Sequence, residues 1–434
     1  MRFVISNAHI IDPDSGYNAV SNLYVHKKKI AHIGQTPPAG FTADHTIDAS
    51  GQFLFPGIID LAAYLREPGQ EFKASMESET LAAVSAGITQ LFYMPEPLTS
   101  IDNMPMVKLI MKQGRALKKA RVKVIGAITQ DLAGEQLTNM GGLKYAGCAG
   151  VSNQRQPFAS TRTLRMAMDY AATFDLPLFL HPIEHSLTGS GCVHEGFVAT
   201  RMGLPGIPVA AETTAVAQII TLIEELDIPV HLCRLSAANS VEMVRAAKQR
   251  GLSVTADVAA HQLFLTEMDI SDFNPLCHVQ PPLRSERDME ALRHGVADGT
   301  IDAICSDHQP HEIDAKLAPF QQTEPGISAL ETLLPLVMRL VEENSMPIET
   351  AIASVTIRPA TITRSKQGRL QPGKKADFTL FDPDDFWQLR ADELLSQGKN
   401  TPFEGWSFSG RSSKTYIKGK CVFDRKNIAH KKGG

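Results

Sequence analysis

Nothing in this chain of 434 residues is apolar for long enough to cross a bilayer, and its opening, MRFVISNAHIID, has a single arginine and no extended apolar core. A membrane span and a secretory leader are therefore not expected, and the chain reads as cytoplasmic. The six cysteines, at 148, 192, 233, 277, 305 and 421, contain no Cys-x-x-Cys pair, which suits small buried side chains in a reducing compartment rather than a disulfide framework. Low-complexity segments, solenoid repeats, blocks of like charge and long Pro/Gly/Ser linkers are all missing. A formal net charge of -4 predicts no phosphate-tracking surface, so nucleic acid is not an expected partner.

What remains is an ordinary globular composition, 43% apolar and 21% charged. Eight short apolar runs, at 53–60, 89–94, 122–126, 149–151, 178–181, 230–232, 253–257 and 303–306, alternate with amphipathic stretches. In one of these, 161–174, Leu164, Ala167, Met168 and Ala171 share a face; another, 241–251, is stopped by Gly251. Repeated strand–helix units with a parallel sheet predict an α/β fold, a (β/α)8 barrel over 53–364, whose chemistry sits in the loops following the strands. Residues 1–52 read as short strands (3–6, 23–26, 29–34) around an Asp12-Pro13-Asp14-Ser15-Gly16 loop, too little to build a core alone. Strands at 377–381 and 414–423 offer partners, so 1–52 and 365–434 are expected to form one small β-sandwich. The tail, 427–434, is expected to fray.

The most informative stretch is FLFPGIIDLAAYLREPG, residues 53–69. It resembles the first barrel strand of the dihydroorotases of the amidohydrolase superfamily, which reads Pro-Gly, an apolar pair, then Asp-x-His-x-His-Leu-Arg-Glu-Pro-Gly. Asp60, Arg66, Pro68 and Gly69 keep that frame, but Ala62 and Tyr64 stand where the family has its two zinc histidines. Other landmarks extend the resemblance over nearly the whole chain, among them Arg358-Pro359-Ala360 and Asn400-Thr401-Pro402-Phe403-Glu404-Gly405-Trp406.

The resemblance implies a metal cup at five strand ends, because amide hydrolysis needs an ion to activate water and polarise the carbonyl. Position by position the cup is depleted. The fourth strand ends in Val151-Ser152-Asn153-Gln154-Arg155, with Asn153 in place of the family's bridging carboxylate. The sixth reads His231-Leu232-Cys233-Arg234, with Arg234 at a histidine position. Only His181, after the fifth strand, and Asp307, in Ser306-Asp307-His308-Gln309-Pro310-His311, survive. Two ligands fall short of the usual three, so no metal and no cofactor is expected, zinc entering only if the chain is an unusual hydrolase. Arg234 is expected to pair with Asp307 and neutralise the old site, which leaves Asp307 in the family's proton-shuttle position as a catalytic vestige.

Arg66 and His311 are the vestigial substrate-binding candidates, with Glu96 standing where the family has an asparagine facing an anionic substrate. His308 and His311 either take part in chemistry or order their loop, and His181 is either a ligand or a satisfied polar residue.

Within the family, the loss of the zinc histidines resembles the inactive dihydroorotase chains of certain bacteria. The resemblance then implies a pseudoenzyme of pyrimidine biosynthesis that partners the catalytic chain of aspartate carbamoyltransferase in a homo- and hetero-oligomer. The alternatives are an active dihydroorotase, or another cyclic amide hydrolase with an atypical metal site, and a sensor that holds a pyrimidine or carboxylate through Arg66.

Overall fold

The computed structural model describes residues 2–427; the expected frayed tail lies, but for Asn427, outside them. Eight parallel strands follow one another around a barrel: Ile58–Ala63, Ile88–Tyr93, Arg121–Ala127, Gly150–Ser152, Leu178–Leu180, Val230–Leu232, Val254–Ala259 and Ala303–Cys305. Each overlaps one of the eight apolar runs. Such strands read as unbroken apolar segments because the barrel interior covers one face and helices cover the other. The seam between the last and first strands is closed by short hydrogen bonds, Tyr64 N to His308 O at 2.9 Å and His308 N to Ala62 O at 3.2 Å. The two most diagnostic loops of the sequence are thus tied directly to each other.

Helices fill the return connections. Thr161–Thr173 starts from Ser160, whose side chain accepts from Thr163 N, and it buries Leu164, Ala167, Met168 and Ala171 against the barrel. Met104–Leu117 starts from Asn103, whose side chain accepts from Met106 N, and ends at Lys118 in the left-handed conformation (φ 56°). Ala238–Gln249 begins three residues earlier than the sequence pattern indicates, since Ala238 and Ser240 are buried on the same face as Val241 and Val244.

Strands from both ends of the chain join in a second sheet, ordered Lys420–Asp424, Ser407–Ile417, Phe378–Gln388, Phe53–Pro56, Arg2–Asp12, Tyr17–His26 and Lys29–Gly34, with His45–Asp48 pairing onto Arg2–Asp12. Its own core brings distant rings together: Tyr416 stacks on Phe378 at 4.5 Å and on Phe3 at 5.8 Å. Here the structure divides the 53–60 run. Phe53–Pro56 pairs with Phe378–Phe381 in the terminal sheet, and only from Ile58 does the chain belong to the barrel. Gly57 is the crossing point; a Cβ there would lie 2.3 Å from Thr89 Oγ1, so no larger residue fits between the two sheets.

The cysteines are free thiols, all buried except Cys421. Among the described residues no helix is long and apolar enough to cross a membrane.

Candidate functional site

The C-terminal ends of the barrel strands converge on a buried polar cup. Four of the residues that shape it, Arg66, Gln154, Arg234 and Asp307, have left-handed backbones, with φ of 62°, 52°, 53° and 47°. Such conformations are uncommon away from glycine and turn a side chain inward at a strand end; they concentrate at functional positions.

The centre is a chain of charge-assisted contacts. Arg155 Nη2 donates to Asp307 Oδ2 at 2.8 Å, and its Nη1 donates to Tyr64 Oη at 3.1 Å. The Tyr64 hydroxyl in turn donates to Gln154 Oε1 at 2.7 Å, which also accepts from Arg234 Nη2 at 3.3 Å. Arg234, the largest fully buried side chain, lies with Nε 3.6 Å from Asp307 Oδ1 and Nη1 3.6 Å from Asp257 Oδ2. Asp257 is held further by Arg234 N at 2.5 Å and by His231 Nε2 at 2.9 Å. Despite desolvation, Arg234 and His231 hold the Asp257 carboxyl below its ordinary value, and Asp307 and Tyr64 hold Arg155 above its own. Two guanidinium groups and two carboxyl groups therefore face one another within the cup.

His181 lies beside this network with neither ring nitrogen partnered. Desolvation, then the charges of Arg155 and Arg234, hold it well below 6.5, so it is neutral. His261 is also neutral, pushed down to about 4 by burial.

These donor atoms do not fit the zinc that the fold implies. Ala62 has no donor, the Tyr64 phenol is raised above 10 by burial and is engaged as a hydrogen-bond donor, and Asn153 is fixed by its Oδ1 to Thr129 Oγ1 at 2.7 Å. Asp307, a surviving ligand position, is already paired with a cation, and two arginines within the cup repel any other. One other cluster, His231, Cys233 and Asp257, has ligand atoms within 4.8 Å of one another among the described residues. Its Asp257 is engaged by Arg234 and His231, and burial holds the Cys233 thiol far above its usual range, which leaves it protonated and a poor ligand.

The substrate-side candidates are likewise occupied from within. Arg66 Nη1 donates to Glu96 Oε2 at 2.5 Å, its Nε to Pro310 O at 3.1 Å, and Nη2 lies 3.2 Å from His311 Nε2. Glu96 thus fills the role a ligand carboxylate would play on this guanidinium, whereas the sequence reading has it facing a substrate. His311 is pushed down to about 2 by burial and by the charges of Arg66, Lys73 and Lys316.

His308 is tied into the scaffold through both ring nitrogens. Ala329 N donates to its Nδ1 at 3.0 Å, which fixes the proton on Nε2, and Nε2 donates to the fully buried Glu79 carboxylate at 2.7 Å. Glu79, on the helix Met76–Ser85, also accepts from Gln397 N at 3.0 Å and so ties three segments together.

Sequence reasoning missed Arg155, Asp257 and Glu79. Nothing local marked Glu79, one of two glutamates in the mixed helix Met76–Ser85, or Arg155, whose partner lies 152 positions away.

The barrel, its terminal sheet and the polar cup at the strand ends define a protein of amidohydrolase architecture. A Dihydro-orotase-like family profile matches residues 51–240 and an Amidohydrolase family profile residues 324–423. A protein named "Dihydroorotase-like protein" in Pseudomonas aeruginosa PAO1 is 43% identical across 98% of this chain and all of its own length. Its namesake in Pseudomonas putida is 41% identical across 96% of this chain and 98% of its own. A "Dihydroorotase" of Syntrophotalea carbinolica is 38% identical over 98% of this chain and 99% of its own. In fold the chain matches the L-hydantoinase (dihydropyrimidinase) of Arthrobacter aurescens, with a TM-score of 0.86 at 22% identity over 98% of this chain and 96% of the other. The chain belongs to the dihydroorotase-like family.

Proposed function

We propose that this chain is a dihydroorotase homologue of pyrimidine biosynthesis that has given up hydrolysis and serves as a structural partner of the catalytic chain of aspartate carbamoyltransferase. The observation that carries the reading is the Arg155–Asp307–Arg234 arrangement at the centre of the cup. Ring-amide hydrolysis requires a water made nucleophilic near neutral pH and a polarised carbonyl. Guanidiniums, permanently protonated, cannot take a proton from water. Asp307, the residue placed to move one, is hydrogen-bonded to Arg155 and faces Arg234 at 3.6 Å.

The partner follows from the resemblance at Ala62, Tyr64 and the 306–311 segment. Exposed apolar side chains in the connections that follow the barrel strands, Phe72, Leu98, Phe197, Ile313 and Leu317, support a covered surface there.

The competing reading, an active dihydroorotase or another cyclic amide hydrolase with an atypical metal site, draws on relatives that carry the plain enzyme name. Metal content and turnover separate the two. Purified protein is expected to hold far less than one zinc per chain and to neither close carbamoyl aspartate nor open dihydroorotate, and Arg234→His is expected to gain no zinc. Coexpressed with the transferase catalytic chain, it is expected to co-elute and to be needed for transferase activity. Near-stoichiometric zinc with turnover would establish the hydrolase; full transferase activity without this chain would remove the partnership.

A further inference from the structure

Two cavities, of about 560 and 450 Å³, open side by side at the N-terminal ends of the barrel strands, on the opposite side from the cup. Among the described residues the larger is lined by eight lysines and arginines and by no carboxylate, in a chain whose net charge is -4. Its floor is apolar, made by Met111, Val122, Ile417 and Val422, and its walls come from both sheets.

Part of this charge has a structural account: Arg115, Lys118 and Lys119 surround the end of the helix Met104–Leu117, where cations favour the negative pole. Lys123, at the start of the third barrel strand, has none, and its neighbour Arg121 has one only in part. Arg121 gives one amine to Asp377 Oδ1 at 2.6 Å, while its Nε and Nη1 are buried without partners. Lys123 is half-buried and lowered from 10.5 by desolvation, and every charge acting on it, from Arg121, Lys375 and Arg115, is positive. Like charges gathered in a half-buried cleft oppose folding, and buried donors left unpaired cost more. An arrangement that is unfavourable when empty becomes favourable around an anion. The barrel's bottom face ordinarily serves stability alone, so the cleft is distinct from the cup.

We propose that this cleft binds a phosphorylated metabolite carrying two or more phosphates, held by Arg121, Lys123, Lys118 and Lys119, with its organic part on Met111, Val122, Ile417 and Val422. The enclosed volume falls within the roughly 300–1,000 Å³ typical of small-molecule sites, whereas protein partners settle on broad, flatter surfaces. The inference depends neither on the proposed loss of hydrolysis nor on the partner.

Calorimetry on the full chain tests it with inorganic tripolyphosphate, ATP and adenosine, at low and near-physiological salt. ATP is expected to bind more tightly than tripolyphosphate, because its base reaches the apolar floor, and adenosine is expected not to bind. Lys123→Gln is expected to weaken both anions about tenfold or more, and Lys119→Gln, on the rim, to weaken them less, circular dichroism confirming both folds. No binding of ATP or tripolyphosphate at millimolar concentration would overturn the proposal. So would equal binding by wild type and both variants, or capture of an acidic polypeptide by a chain that ignores ATP.

Discussion

Arg234→Met removes the central cation of the cup while keeping most of its volume. In the structure this guanidinium lies 3.6 Å from an oxygen of Asp257 and 3.6 Å from one of Asp307. Each pair is worth about 4–5 kcal/mol of bare attraction at an effective dielectric of 20. Much of that sum is offset by the desolvation of three buried charges. Asp257 retains His231 and Asp307 retains Arg155 as compensation. The expected net loss is that of breaking a buried pair from one side, about 3–5 kcal/mol. Urea denaturation followed by circular dichroism measures it. The double variant Arg234→Met/Asp307→Asn should recover at least about 1 kcal/mol relative to the sum of the single changes, because the orphaned charge is then gone. A loss below about 1 kcal/mol, or strict additivity, would refute the claim that Arg234 neutralises the vacated cup.

Glu79→Ala strands His308 Nε2 in a dry interior and removes the acceptor of Gln397 N, and a loss of about 2–4 kcal/mol is expected in the same denaturation assay; a change under 1 kcal/mol would show that the lock is dispensable. Acid should destabilise the fold. The folded pKa values of His261 and His278 (each about 4) and His311 (about 2) lie below the ordinary 6.5, with His181 also well below it. Below pH 6.5 the unfolded chain therefore takes up protons that the native chain refuses, at about 1.4 kcal/mol per pH unit for each histidine. Asp60 and Glu331, raised by burial to about 6 and about 7, act in the opposite sense, but the histidines outnumber them. The melting temperature is expected to fall between pH 6.5 and 5, and an unchanged value at pH 5 and 7.5 would contradict the neutral, buried histidines.

The barrel was legible in the sequence because each strand announces itself locally: a run such as Leu178–Leu180 is apolar whatever lies around it. The depletion of the cup was legible for the same reason, since Ala62 and Arg234 lack donor atoms for zinc wherever they are placed. The division of the 53–60 run was not, because Phe53–Pro56 and Ile58–Ala63 are both largely apolar and only the pairing of Phe53–Pro56 with Phe378–Phe381 separates them.

Tertiary structure alone decided how the cup is filled from within. Glu96 meets Arg66, Arg155 meets Asp307 and Glu79 meets His308 across separations of 30, 152 and 229 residues. The same holds for the basic cleft, where Lys123 and Lys418, 295 positions apart, are brought to one cavity by the packing of the terminal sheet on the barrel. Net charge averages over the whole chain and hides such a concentration. Strand periodicity is a property of neighbours in sequence, while ion pairing is a property of neighbours in space, and only folding turns the second into fact.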